Sequence, residues 1–478
     1  MNKIWHFFKL KIKYIFLSFG YSIQKKSEIN LLIKKLNLME DLNKKKSLLK
    51  KIIKKFPEKS IFQLMLFECS LDLADDDFIK NLELYNKKIN NEKKIDLSQK
   101  LNIEVIPKLI FMGAFGNTLQ LKTLIEANNY GLREKKKLIL IWNKKYKVNN
   151  KTLFNYFSDF FEIYENEDLE DDFDTLSQKL EEPLRICMNL KEKTLILPHA
   201  SNYVETFKLQ NNLDKSPFMK LKEDHKKEGD KKLFEMGIPK NKWYATLHIR
   251  EPEPNYRGET IGNTEENFRN ANIENYIDAI KTIISSGGYV FRMGSSGISK
   301  LPNIPGLIDY ANSSYKSDLM DVYLGATSKF CIANSSGYQT IPSCFSVPRL
   351  LTDVPNHQVY FFLNHKEMYL PRLFLDSKTK KKIKFENYFL YPMNALGNDS
   401  IFKKKNLIPI HNSKQEINSA TKEMIDKVIF NKNISSENVY QKKIKEIIKN
   451  CAYRQAGIRL ESLADISPSF LQNNKELF

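Results

Sequence analysis

YATLHIREPEPNYRG at residues 244–258, YVFRMGSSG at 289–297, LIDYANSSYKSDLMD at 307–321 and FCIANSSGYQTIPSCFSVPRLL at 330–351 succeed one another along the chain. Strand, loop and helix patterns alternate throughout Tyr244–Pro355, with glycines and polar residues gathered where the strands end. Such alternation predicts an α/β fold, a parallel sheet with helices on both faces. Sheets of this kind bind ligands beyond the carboxyl ends of their strands. Here those ends carry His248, Arg250, Arg292, Gly294 and the run Asn334-Ser335-Ser336-Gly337. Two arginines, a histidine and a hydroxyl run beside a glycine suit a diphosphate.

Each of these residues has a functional and a structural reading. His248 and Arg250 stand two apart on one strand and so share a face. Together they offer a guanidinium fork and an imidazole to a phosphate; a salt bridge of Arg250 with Glu251 or Glu259 is the structural reading. The polar segment 251–272, interrupted by proline, has the length of a functional loop and supplies Tyr256, Arg257, Arg269 and Asn270. Arg292 and Gly294 close the next strand, Arg292 being a second cation for phosphate or base. Asp309 is a candidate ribose or base partner. Asp318 and Asp321 lie near the start of a helix capped by Ser317, where acids are favoured by the helix dipole alone. At Asn334–Gly337 a hydrophobic strand stops in small polar residues, which can cradle a phosphate or simply form an N-cap turn. Gly113-Ala114-Phe115-Gly116 followed by Asn117 reads as a strand-to-helix loop, either a tight turn or a place where backbone N–H groups approach a ligand.

The chain has 478 residues, enough for several domains and a well-buried core. Its net charge of +19 suits an anionic partner, or reflects lysine spread over every solvated face. No nucleic-acid module is present, so nucleic acid is not an expected partner. Cys69, Cys187, Cys331, Cys344 and Cys451 are far apart and read as reduced thiols of a cytoplasmic protein. Residues 1–22 are aromatic and basic with no uninterrupted apolar span. They predict either an amphipathic helix on an anionic inner-membrane surface, the protein then being peripheral there, or a helix packed on the protein body.

Five segments follow from the patterning: a basic amphipathic N-terminal segment (1–25), a helical arm (26–95), a first Rossmann-like region (96–232), a second (233–430) and a helical tail (431–478). In the arm, Leu48, Leu49, Ile52, Ile53 and Phe56 recur at helical spacing until Pro57. KLIFM at 108–112, KLILIW at 137–142, DFFEIY at 159–164 and TLILP at 194–198 read as strands, and Asn166–Lys191 as mostly helical. No metal is expected, because none of the seven histidines has ligand spacing and the acid runs at 75–77 and 171–174 read as solvated surface. GxGxxG, GxSxG and the kinase motifs are absent, which argues against a nicotinamide dehydrogenase, a serine hydrolase and a kinase.

LHIRE (247–251), Tyr256-Arg257, RNANIENYIDAI (269–280), VFRMG (290–294), IDYANSSYKSDLMDVYLGA (308–326), IANSSG (332–337) and ISPSFL (466–471) together resemble a family of bacterial glycosyltransferases found among genes for surface polysaccharide synthesis. The resemblance runs from about Lys108 onward and is specific in the second half. It implies a GT-B fold, two facing Rossmann-like domains with a helical extension, the second domain holding the sugar nucleotide. The His-x-Arg pair is similar to that of fucosyltransferase-like enzymes, which implies that Arg250 contacts the donor diphosphate. The NSSG turn resembles the donor-phosphate loop of heptosyltransferase-like proteins. Those proteins carry an acid after the first glycine loop, where this chain has Asn117, so the base is left unassigned among Glu251, Glu259 and His199. The strand-end residues thus give a catalytic group of His248, Arg250 and Glu251 and a donor site of Arg250, Arg257, Arg292, Gly294, Asp309, Asn334, Ser335, Ser336 and Gly337, of which the resemblance itself carries Arg250 and the NSSG turn. Gly113, Gly116 and Asn117 would form an acceptor-side loop. No cofactor is implied beyond the nucleotide-diphosphate sugar as substrate, and the acceptor would be a glycan or lipid-linked sugar. A non-catalytic polysaccharide- or partner-binding protein on a degenerate GT-B core is the alternative.

Overall fold

Seven strands build the main sheet: β1 (Trp243–His248), β2 (Gly288–Arg292), β3 (Leu307–Ile308), β4 (Phe330–Ala333), β5 (Arg349–Val354), β6 (Met368–Pro371) and β7 (Asp465–Ile466). Their order across the sheet is β3-β2-β1-β4-β5-β6-β7, and every pair is parallel. This is the doubly wound order, with its reversal between β1 and β4. Every residue of β4, β5 and β6 is buried, as expected of inner strands covered on both faces. That is why FCIA and the apolar positions of RLLTDV read as continuous runs rather than alternating ones.

The structure, a computed structural model, describes residues 28–70, 103–165, 187–251, 267–389, 406–434, 439–449 and 462–478, short gaps within these apart, and positions 81, 84, 255–256, 259–260 and 402. The segment 1–25 lies outside them. By compactness the chain divides into one unit of residues 1–105, 136–139 and 166–183 and another of 106–135, 140–165 and 184–478.

In the first unit, the helix Leu42–Lys55 starts where Asp41 accepts from the N–H of Lys44 at 3.0 Å and stops before Pro57. Leu49, Ile52 and Phe56 enter a small core with Leu36, Phe62, Met65, Leu66 and Cys69, and Leu48 and Ile53 pack at its edge. The helical spacing in the sequence is therefore a core stripe.

In the second unit, the helices Ile277–Ser285 and Lys414–Val428 pack on each other, and the latter on Pro468–Asn473. Asp318–Thr327 packs on Glu223–Glu235, Lys151–Phe157 and Thr340–Cys344. Ile273, Tyr276, Ile280 and Ile283 are buried, as their spacing predicts, and Gly287 ends that helix at φ 86°. The helices Thr118–Asn129 and His199–Gln210 share a buried quartet. Lys122 reaches Glu126 at 2.8 Å and Glu205 at 3.2 Å, and Lys208 reaches Glu126 at 3.0 Å and Glu205 at 3.3 Å. Its two cations and two anions neutralise each other out of water.

A further sheet takes Ile103–Ile106, Lys137–Trp142 and Glu162–Glu165 in that order. Three expectations change here. KLIFM contributes the helical turn Leu109–Met112, and the strand lies before Pro107; so short an apolar run has no period to distinguish the two. Cys187–Leu190, expected within a helical stretch, is a strand paired antiparallel with Lys193–Ile196, while residues 166–186 lie outside the described ones. The tail is helical at Val439–Lys449 but also supplies β7 to the main sheet, so it belongs to that fold. Cys331 and Cys344 are free and fully buried, and burial pushes each thiol up to about 12. Among the described residues no helix is long and apolar enough to cross a membrane.

Candidate functional site

β1 and β4 are neighbours, and their chains leave in opposite directions, so their carboxyl ends form the topological switch point at which open sheets of this kind take ligands. The backbone N–H of Arg250 donates to Asn334 Oδ1 at 2.9 Å, and Asn334 Nδ2 donates to the carbonyl of Arg269 at 3.1 Å. Ala271 N–H donates to the Arg250 carbonyl at 3.0 Å. Arg269 donates from Nε and Nη2 to the Ser335 carbonyl at 3.1 and 2.8 Å. The segment 268–272 is thus laced to both strand ends. Asn334 is fully buried, and both ends of its amide are engaged in bridging these backbones.

Ser336 is 4% exposed, and its Oγ has no hydrogen-bond partner. It precedes the helical turn Gly337–Gln339 without capping it through its side chain, so the N-cap reading fails for this hydroxyl. An unpaired buried hydroxyl costs about 1–3 kcal/mol, which a bound acceptor would recover. The next residue shows why a glycine stands there. A Cβ on Gly337 would lie 2.7 Å from the backbone N of Gly116 and 3.1 Å from that of Phe115. The two glycine-bearing loops read in the sequence therefore meet backbone to backbone. Gly116 and Asn117 lie in the helical turn Phe115–Asn117, whereas Gly113 lies outside the described residues.

His248 is half-buried and stacks on Tyr338, ring centroids 5.3 Å apart and 14° between planes. Its Nδ1 is buried without a partner. Burial first, and then the positive charges of Lys316, Arg292 and Arg250, together bring its pKa down to about 4. The imidazole is neutral at pH 7, and it registers a cationic field at the strand ends.

Arg292 does not stand free for a phosphate. It is 1% exposed, and its Nη2 meets Glu251 Oε2 at 2.5 Å. Nη1 donates to the Ser299 carbonyl and lies 3.7 Å from Asp309 Oδ1. Ser299 Oγ donates to Glu251 Oε1 at 2.8 Å. The expected phosphate cation and the expected base are thus engaged with each other, because a guanidinium buried at a strand end requires a carboxylate beside it. Asp309 also accepts from Asn312 at 2.9 Å. Gly294 turns the chain after β2 at φ 153°, where a Cβ would press on Ile298. Arg257 lies outside the described residues, as do the side chains of Tyr256, Glu259 and His199.

One cluster at the same edge escapes the sequence. Asp353, in β5, takes φ 53° at a shift of register between Thr352 and Val354. For a non-glycine residue that conformation costs about 1–3 kcal/mol. Its Oδ1 accepts from Arg372 Nε at 2.7 Å and from Asn412 N–H at 3.2 Å, and its Oδ2 lies 2.7 Å from His411 Nδ1. Burial would raise this carboxyl, but His411 and Arg372 outweigh it and hold the pKa below its usual range. Arg372 also donates to the carbonyls of Phe268 and Asn270, the latter at 2.9 Å. An acid ending a buried strand in RLLTDVP was the available signal for Asp353; nothing in IPIHNSK marks His411.

The strand order defines an α/β protein whose parallel sheet reverses between β1 and β4. No protein-family model matches the chain, and no curated protein matches it. Among solved structures it is similar to a glycosyl transferase family 9 protein from Veillonella parvula, at 10% identity and a TM-score of 0.33 over 52% of this chain and 79% of that one. It is also similar to the ADP-heptose lps heptosyltransferase II of E. coli, at 12% identity and a TM-score of 0.35 over 57% of this chain and 90% of that one. The α/β assignment rests on the sheet itself.

Proposed function

We propose that this protein is a glycosyltransferase of GT-B type that moves a sugar from a nucleotide diphosphate to a glycan or lipid-linked acceptor, without a metal, in surface polysaccharide synthesis. The observation that carries the reading is that Ser336 Oγ and His248 Nδ1, at the carboxyl ends of the neighbouring strands β4 and β1, are buried without hydrogen-bond partners beside the Arg250–Asn334 bridge. An anion with several acceptor oxygens suits donors in a positive field. In this reading the diphosphate contacts Arg250, the Ser336 hydroxyl and the N–H groups of Ser335–Gly337. Arg257 joins from its loop, and Gly116 with Asn117 borders the acceptor side. Neutral His248 donates one hydrogen bond. In this reading Arg292, Glu251 and Asp309 brace one another beside the site instead of contacting the diphosphate, and Gly294 turns the chain after β2. The leaving nucleotide takes the electron pair of the sugar–oxygen bond, and the fixed donors stabilise its growing charge. Residues 1–22 would hold the enzyme to an anionic inner-membrane surface.

The engagement of Glu251 with Arg292 and Ser299 favours a second reading, a binding protein without catalysis. A thermal-shift screen with UDP-, GDP-, dTDP- and ADP-sugars tests the main one. Stabilisation by at least one sugar nucleotide, reduced in Ser336→Ala, is the expected result; no shift with any of them would remove it. Binding without nucleotide release in the presence of any acceptor would favour the second reading.

A further inference from the structure

We propose that His411 is the catalytic base of this site and that Asp353 is its positioning residue, an inference that rests on the glycosyltransferase reading. Asp353 fixes the ring. It is 1% exposed, bound on one oxygen by Arg372 and Asn412, and offers the other to His411 Nδ1 at 2.7 Å. A carboxylate in that position holds the proton on Nδ1 and leaves the lone pair on Nε2. The His411 side chain is 48% exposed, and among the described residues nothing engages Nε2. The ring can therefore meet a molecule from solution.

The pair is also in place. β5 lies beside β4, about 5 Å away, so Asp353 stands one strand from the Asn334–Gly337 turn. Hydrogen bonds and one peptide link join them: Ser335 to Arg269, along the backbone to Asn270, then by hydrogen bonds through Arg372 and Asp353 to His411. The support behind His411 is rigid. Asn412 accepts from Asp353 N–H at 2.6 Å and donates to the Pro371 carbonyl at 2.9 Å. Ser413 and Glu416 then form a capping box on the helix Lys414–Val428. Strained backbone held by so many partners at the edge of a candidate active site is what a positioned functional group requires. Anchoring the 411–413 loop needs Asn412 alone; an Asp–His pair with an open outer nitrogen adds a proton acceptor.

In the step itself, the acceptor hydroxyl oxygen bonds to the anomeric carbon and its proton passes to His411 Nε2. The bond from that carbon to the phosphate oxygen breaks, and its electron pair leaves on the nucleoside diphosphate. Water can replace the acceptor, so slow hydrolysis of the donor reports the same proton transfer.

The experiment uses the full chain, UDP-, GDP-, dTDP- and ADP-sugars as probes, calorimetry for binding, and nucleoside diphosphate release into water for chemistry. In His411→Ala and His411→Gln, release falls by about 100-fold or more while binding of the same sugar nucleotide holds within about twofold, and added imidazole restores part of the rate to His411→Ala. Asp353→Asn lowers release with binding retained. Wild-type release by His411→Ala with binding intact would overturn the assignment and leave the glycosyltransferase reading standing. No binding of any probe by the wild type would overturn both.

Discussion

Arg250 and Asn334 are joined across the reversal of the sheet: the backbone N–H of one donates to the side-chain oxygen of the other at 2.9 Å. Asn334 in turn donates to Arg269, whose guanidinium holds Ser335. One buried amide therefore sets the spacing of the two strand ends at the switch point. Asn334→Ala removes its hydrogen bonds to the Arg250 N–H and the Arg269 carbonyl, a loss of roughly 2–4 kcal/mol for two buried bonds. Urea denaturation reads this directly. Stability within about 0.5 kcal/mol of wild type would show that the bridge is dispensable.

Gly337→Ala tests the contact between the two glycine loops. The new Cβ meets backbone at 2.7 Å, which no rotamer change relieves. Overpacking of this kind costs about 1–3 kcal/mol. The expected result is a lower Tm together with loss of sugar-nucleotide binding, as the loops part and the Ser336 hydroxyl moves.

The buried quartet predicts an acid limb. Burial alone would raise the Glu205 carboxyl, but Lys122 and Lys208 outweigh it and hold it at about 2, below the ordinary 4.5. A carboxyl depressed on folding contributes stability that is complete above about pH 4.5 and is lost as pH falls toward about 2. Lys122→Met removes one cation and leaves buried carboxylates underpaired, at a cost of about 3–5 kcal/mol. Acid titration of stability in wild type and Lys122→Met checks both, since the variant should lose much of the limb.

His248 predicts a silent titration. With its pKa lowered to about 4 by burial and then by Lys316, Arg292 and Arg250, the ring stays neutral as pH falls from 8 to 5. The unfolded chain takes up this proton near 6.5, so His248 makes stability fall as pH drops from about 6.5 toward 4. Its ring proton shifts by NMR should hold steady above pH 5. An inflection near 6.5 would show an exposed, ordinary imidazole.

The second half of the chain was legible because its buried strands are continuous apolar runs closed by glycine or small polar residues, which indicate a parallel sheet. The same pattern draws attention to Ser336 and Gly337, one an unpartnered buried hydroxyl and the other packed against the Gly116 backbone. Arg292 was misjudged: a cation at a strand end suggests a phosphate, but sequence cannot show that Glu251 and Ser299 reach it first. The contact of Asp353 with His411 is invisible in the sequence because they lie 58 positions apart and meet only through the return of the chain before the helix Lys414–Val428. KLIFM failed for a local reason, since an apolar stretch of that length suits a strand and a helical turn equally.

The most direct measurement is calorimetric titration of UDP-, GDP-, dTDP- and ADP-sugars into wild type, Arg250→Ala and Ser336→Ala. A charge-assisted hydrogen bond contributes about 1.5–3 kcal/mol, so each substitution should weaken binding by roughly tenfold or more. Tight binding by the wild type with that loss in both variants is the predicted result. Equal affinity in all three proteins, or no heat with any sugar nucleotide, would contradict a diphosphate site at the switch point.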